Sequence, residues 1–156
     1  LLIIKLNGGI RMEDYEKLNT YLANLAILNT KLHNLHWNVE GPKFMQVHEY
    51  TEELYEQFFE LFDEVAELIK MKGEIPLVKT TDYADNATIE ELEAKSFECQ
   101  EVLKIVKSDL EEMKGLAAEI REEADEADDF EVVGEFEDHI SSYSKNLWFL
   151  KSMLAE

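Results

Sequence analysis

The sequence predicts an all-α chain, a four-helix bundle with one long crossover, and three observations carry that expectation. Apolar residues recur at steps of three or four along four stretches, which keeps them on one face of a helix. No sustained run alternates apolar with polar residues, as a half-buried strand would. Across 156 residues there are two prolines and six glycines, too few turn-formers for a sandwich of many short strands.

The first eleven residues, LLIIKLNGGIR, stand outside this pattern. Their apolar run is far too short to span a bilayer, and no small-residue cleavage site follows it. Met12 makes a natural start, so residues 1–11 are read as an extension and 12–156 as one domain. The first helix is marked by Leu18, Leu22, Leu25, Leu28, Leu32 and Leu35. Gly41-Pro42 then breaks the chain, with proline well placed in the first turn of a following helix.

The second helix carries Leu54, Phe58, Leu61, Val65 and Leu68. Phe59, Phe62 and Ile69 lie off that stripe and are assigned to a subunit contact rather than to the core. Gly73 and Pro76 end the helix. The segment from Lys72 to Ala87 reaches ~50 Å if extended at about 3.3 Å per residue, whereas a 26-residue helix is only ~39 Å long. It can therefore cross the whole bundle, with room for a short helix around Thr80–Ala84. One long crossover between helices two and three is the ferritin-like topology.

The third helix shows Leu103, Val106, Leu110, Met113, Ala117 and Ile120, with Ser96 or Thr88 as its cap. The fourth shows Val133, Phe136, Ile140, Tyr143, Leu147, Leu150 and Leu154, with Asp128 and Glu131 as a capping pair. Short links between helices one and two, and three and four, make those pairs antiparallel neighbours.

Composition narrows the function. Lys and Arg number 15 against 35 Asp and Glu, a formal net charge of −20. Such a surface repels phosphate backbones and anionic membranes, leaving cations and proteins as partners. Within 119–138 there are 11 acids and one base, Arg121. That stretch reads mainly as a solvated helix end, and alternatively as a funnel for metal ions. The single cysteine, Cys99, excludes an intrachain disulfide framework and suits a reducing, cytoplasmic setting.

The histidines carry the chemistry. His36 closes the first helix and His48 opens the second, with Glu52 one turn later on the same face. Asp63 and Glu67 repeat that spacing. Imidazole with carboxylate and open positions is a ligand set for iron and similar divalent metals. Eleven residues separate Glu52 from Asp63, so the two face the same way to within ~20° yet stand ~16 Å apart along the axis. Metal–ligand bonds are ~2 Å long, so one helix cannot bring both pairs to one ion. If all are ligands, the Asp63–Glu67 end belongs to a second chain, across a two-fold axis. A di-iron centre inside one subunit uses Glu-x-x-His pairs. Thr30, His33, Met45 and Phe136 precede the four histidines by three residues, so that motif is absent. His33 and His139 are read as structural, and Trp37 as either a packed aromatic or an acceptor of stray oxidising equivalents.

The run LHNLHWNVEGPKFMQVHEYTEELYEQFFELFDEVAE, residues 32–67, closely resembles the signature of the Dps proteins, the dodecameric mini-ferritins. Its HW-x-V-x-G-P-x-F-x-x-x-H-E core and its later D-E-x-A-E match in type and spacing. Weaker similarity extends from Met12 to Leu154 and includes Asn146-Leu147-Trp148-Phe149-Leu150. The resemblance implies ferroxidase ligands at His36 and His48 of one subunit and at Asp63 and Glu67 of its two-fold mate. Glu52 falls where the family carries an acidic ligand or hydrogen-bonding group. The implied activity is oxidation of Fe²⁺ by hydrogen peroxide, or more slowly by oxygen, with ferric mineral stored in a twelve-subunit shell. It also puts the acidic 119–138 stretch near the three-fold pores, with Asp125, Asp128 and Asp129 as candidates.

The family's DNA binders use Lys- and Arg-rich tails. Here the bases before Tyr21 are Lys5, Arg11 and Lys17, and the sequence closes on Ala155-Glu156. Direct duplex binding is therefore expected to be negligible, and any protection of DNA indirect.

Overall fold

A computed structural model describes residues 5–6, 9–10 and 15–156. Of the expected extension, Lys5–Leu6 (β1) and Gly9–Ile10 (β2) form a two-residue antiparallel ladder, and the rest of it lies outside the described residues. Four long helices follow: α1 Glu16–Asn38, α2 Phe44–Met71, α4 Cys99–Glu126 and α5 Phe130–Leu154. A short α3, Thr80–Asn86, sits in the crossover where the sequence left room for one. Helix α1 packs against α2, α4 packs against α5, and α3 lies on α1.

All six leucines of the first stripe are buried, as is the whole third stripe. At ~1.5–3 kcal/mol for each fully buried large side chain, these rows are the main favourable term of the fold. On α2 the core row is Leu54, Phe58, Val65 and Leu68, and three assignments there divide. Ile69 is fully buried and belongs to the core, which corrects its assignment to a subunit contact. Phe62 is half-buried with its ring edge-on to Tyr83 of α3, 5.6 Å away, so the crossover helix covers it. Phe59 stays 64% exposed.

The crossover is held to α1 by asparagines. Asn19 Oδ1 accepts from the Leu77 amide at 3.1 Å, and Asn24 Oδ1 from the amides of Thr88 and Ile89 at 2.7 and 3.2 Å. Asn34 Nδ2 donates to the carbonyls of Leu92 and Glu93. An irregular segment against a helix must pair its backbone polar groups, and these side chains supply the partners. The crossover ends as β4, Phe97–Glu98, in parallel register with β3, Val39–Glu40. Gly41, at φ +129°, turns the chain from β3 toward α2, where a β-carbon would also meet Cys99 Sγ at 3.4 Å.

The caps differ from expectation. Helix α4 starts at Cys99 without a side-chain cap. Ser96 donates instead to Glu40, and Thr88 is taken by Asn24. For α5 the cap is Asp129, which accepts from the Val132 amide. Asp128, one residue earlier, has φ +53° and closes α4, with the Asp128 and Asp129 amides returning to the carbonyls of Asp125 and Ala124. Glu131 is not half of a capping box but pairs with Lys72, which also holds Asp129.

Inside the bundle, Lys31 of α1 and Asp109 of α4 form a buried ion pair at 2.7 Å. Burial pushes the Asp109 carboxyl up, and Lys31 pulls it back. Among the described residues, no helix is long and apolar enough to cross a membrane.

Candidate metal centre

The end of α1 and the start of α2 meet as two antiparallel helices, and the contact between them is made by His36 and His48. His36 Nδ1 lies 2.8 Å from the His48 carbonyl, and His48 Nδ1 lies 2.9 Å from the His36 carbonyl. A carbonyl only accepts, so each ring carries its proton on Nδ1 and each Nε2 is left with its lone pair. This is how a histidine is prepared to ligate a metal, the second nitrogen fixing tautomer and ring orientation. The two rings stack with centroids 3.7 Å apart and 15° between planes. Thr51, whose hydroxyl donates to the Val47 and His48 carbonyls, also faces His36 Nδ1 at 3.2 Å. His36 is only 6% exposed and His48 is half-buried.

Around this pair stand further polar aromatic groups. Tyr55 meets the His36 ring edge-on at 5.2 Å and stacks on His33 at 3.9 Å. Its hydroxyl donates to Glu52 at 3.4 Å, which puts the exposed Glu52 carboxylate next to the site. His33 is held by the Asn29 carbonyl at 2.6 Å, in keeping with its structural reading. Trp37, beside His33, is 69% exposed. Within one chain its ring meets the edge of the site, 5.4 Å from the His33 ring.

Asp63 and Glu67 are exposed on the same face of α2 that carries Glu52. Helix α2 is continuous from Phe44 to Met71, so Asp63 stands ~16 Å from Glu52 and ~22 Å from His48 along its axis. Within one chain the structure joins the two histidines, brings Glu52 to their margin, and leaves Asp63 and Glu67 far away.

One cluster escaped the reading of the sequence. Glu64 of α2 and Glu135 and His139 of α5 bring ligand atoms within 4.8 Å of one another. Burial, and then the Glu64 charge, push the Glu135 carboxyl up to about 7. Burial pulls the His139 imidazole down to about 4. The available signal was Glu135 and His139 at i, i+4, which a search for Glu-x-x-His spacing passes over. Of the pore candidates, Asp125 pairs with Arg121, Asp129 is spent on the cap and Lys72, and Asp128 lies exposed in its turn.

Comparison with known proteins agrees with this architecture. The ferritin family model, described as a ferritin-like domain, matches residues 15–156. The chain is similar to the DNA protection during starvation protein of Helicobacter pylori, strain J99, 32% identical over 144 residues that cover 92% of this chain and 100% of that one. It is 35% identical over 138 residues to the protein of the same name from Brevibacillus brevis, covering 88% and 91%. The crystal structure of Dps from Staphylococcus aureus is similar at a TM-score of 0.86 and 31% identity, covering 90% and 93%. The chain belongs to the Dps family, within the ferritin-like superfamily.

Proposed function

We propose that this protein is a mini-ferritin that oxidises Fe²⁺ with hydrogen peroxide, or more slowly with oxygen, at sites shared between two subunits. The ferric product is stored inside a dodecameric shell in the cytoplasm. The observation that carries the reading is the reciprocal pair of His36 and His48, with both Nδ1 atoms committed to carbonyls and both Nε2 lone pairs available. Two neutral imidazoles alone hold Fe²⁺ poorly; carboxylates complete the set. In this reading Asp63 and Glu67 of the partner subunit supply them, and Glu52 is an auxiliary ligand or hydrogen-bonding group. Exposed apolar side chains beside the pair, Trp37 and Met45, and Phe59 further along α2, suit a face that a second copy covers.

The chemistry balances without a free radical. Two Fe²⁺ each give one electron, and one peroxide takes both electrons and two protons. Its O–O bond breaks and two waters leave. The protein's part is to hold the iron through neutral nitrogen and anionic oxygen while leaving positions open to the oxidant. Hydrolysis of Fe³⁺ then releases protons, and the surplus of acids over bases favours drawing the cations in.

The test is anaerobic addition of Fe²⁺ followed by peroxide, read as the rise of ferric absorbance. Asp63→Ala is expected to lower the initial rate at least about tenfold, since even outer groups of a metal site are worth ~10–100-fold. A wild-type rate in Asp63→Ala contradicts the site.

The relatives' names speak of protecting DNA. For this chain a net charge of −20 per subunit opposes direct duplex binding, so protection proceeds by removal of iron and peroxide. Tight binding in a gel-shift at moderate salt would instead favour a DNA-binding nucleoid protein of the same family.

A further inference from the structure

His139 lies inside the bundle, 97% buried, and its Nε2 points at two carboxylates. Glu135 Oε1 is 3.9 Å from that nitrogen and Glu64 Oε2 is 4.0 Å from it. On the other side of the ring, Nδ1 lies 3.1 Å from the Tyr21 hydroxyl, which is itself hydrogen-bonded to Tyr143. Both tautomers leave the same problem. With the proton on Nδ1, the Nε2 lone pair faces carboxylate oxygens, so acceptors converge with no donor. With the proton on Nε2, the nearest oxygens are beyond hydrogen-bond reach. Neither His139 Nε2 nor Glu135 Oε1 has a hydrogen-bond partner among the described residues. Buried polar atoms left so cost ~1–3 kcal/mol each, and a native fold seldom keeps them without a use.

We propose that Glu64, Glu135 and His139 form a divalent transition-metal site within each subunit, separate from the His36–His48 centre. One imidazole nitrogen and two carboxylate oxygens suit Zn²⁺, Fe²⁺ or Co²⁺ in preference to Mg²⁺ or Ca²⁺. At bonds of 2.0–2.2 Å, ligand atoms in a tetrahedral shell stand about 3.4 Å apart. The two nitrogen–oxygen spacings therefore need to close by about half an ångström, and all three ligand atoms already lie within 4.8 Å of one another. Glu64, whose side chain is 57% exposed, can close its own gap by rotating, and the Glu135 carboxylate, one turn from His139 on the same helix and 23% exposed, closes the other. Its exposure also gives an entry path and leaves the remaining position to solvent. Tyr21 has the role of the outer partner, fixing the tautomer that aims Nε2 at the ion. Along α2, Glu64 is ~24 Å from His48, so the two centres do not share an ion. A metal here joins α2 to α5.

The experiment uses Zn²⁺ in assembled shells of a His48→Ala/Asp63→Ala background, which removes ligands of the first centre. Equilibrium dialysis at micromolar free Zn²⁺ is expected to retain one ion per subunit, with an anomalous peak at the zinc edge between α2 and α5. Adding Glu64→Gln should weaken retention at least about tenfold, and adding His139→Gln should abolish it. Glu64 is at the surface, so its variant carries the test even if His139→Gln fails to fold. Retention of no stoichiometric zinc, or equal retention with and without Glu64→Gln, overturns the proposal.

Discussion

At the scale of single residues, burial of polar rings sets both the candidate chemistry and a measurable alkaline limit. Tyr143 is fully enclosed and bonded to Tyr21, and burial raises the hydroxyl pKa of both well above the ordinary tyrosine value. A pKa raised on folding contributes stability that is complete below the unfolded value near 10. That contribution is lost as pH rises above 10 toward the folded value. Unfolding free energy should therefore fall between pH 10 and 11.5, and the fall should be shallower in Tyr143→Phe. The difference expected for one proton is about 1.4 kcal/mol per pH unit. Equal slopes in denaturant titrations of the two proteins would contradict the assignment. Residue-level legibility was uneven in a physically simple way. His36 and His48 lie close in sequence, on either side of one short link, and each ring meets the other's backbone carbonyl. Glu135 and His139 were adjacent on one helix, but nothing in the sequence tells which of many acids, Glu64 included, a third helix will bring to them.

At the scale of elements, rows of apolar residues were legible because helical periodicity is local, and the stripes entered the core almost whole. Polar residues on the same helices were not. Asn19, Asn24 and Asn34 carry no periodic signal, yet they clip the crossover to α1. Lys31 and Asp109 pair inside the bundle although they stand 78 residues apart in the chain. A helix shows which residues share a face, not which other element will lie on it. The ion pair gives a sharp expectation. Lys31→Met leaves Asp109 buried without a partner and should cost about 3–5 kcal/mol, whereas Lys31→Met/Asp109→Leu should recover most of that loss. Chemical unfolding monitored by circular dichroism measures both. A double variant no more stable than the single one would show that the loss does not come from leaving Asp109 unpaired.

At the scale of the whole molecule, the fold class was readable from the stripes and from the length of one connection. In the proposed reading the centre is only half contained in a single chain. On that reading His48–Glu52 and Asp63–Glu67 stand ~16 Å or more apart along one continuous helix, and a second copy turned about a two-fold axis brings the two sets together. The direct measurement of that claim is co-expression of equal amounts of His48→Ala and Glu67→Ala chains, followed by peroxide-driven Fe²⁺ oxidation in the mixed shells. Each homogeneous variant has no intact site. In random mixtures about half the dimers pair unlike chains, and one of the two sites in each is whole. The mixed shells should thus oxidise iron at about a quarter of the wild-type initial rate. Activity no greater than that of either variant alone would place the whole site within one chain and contradict the intersubunit centre.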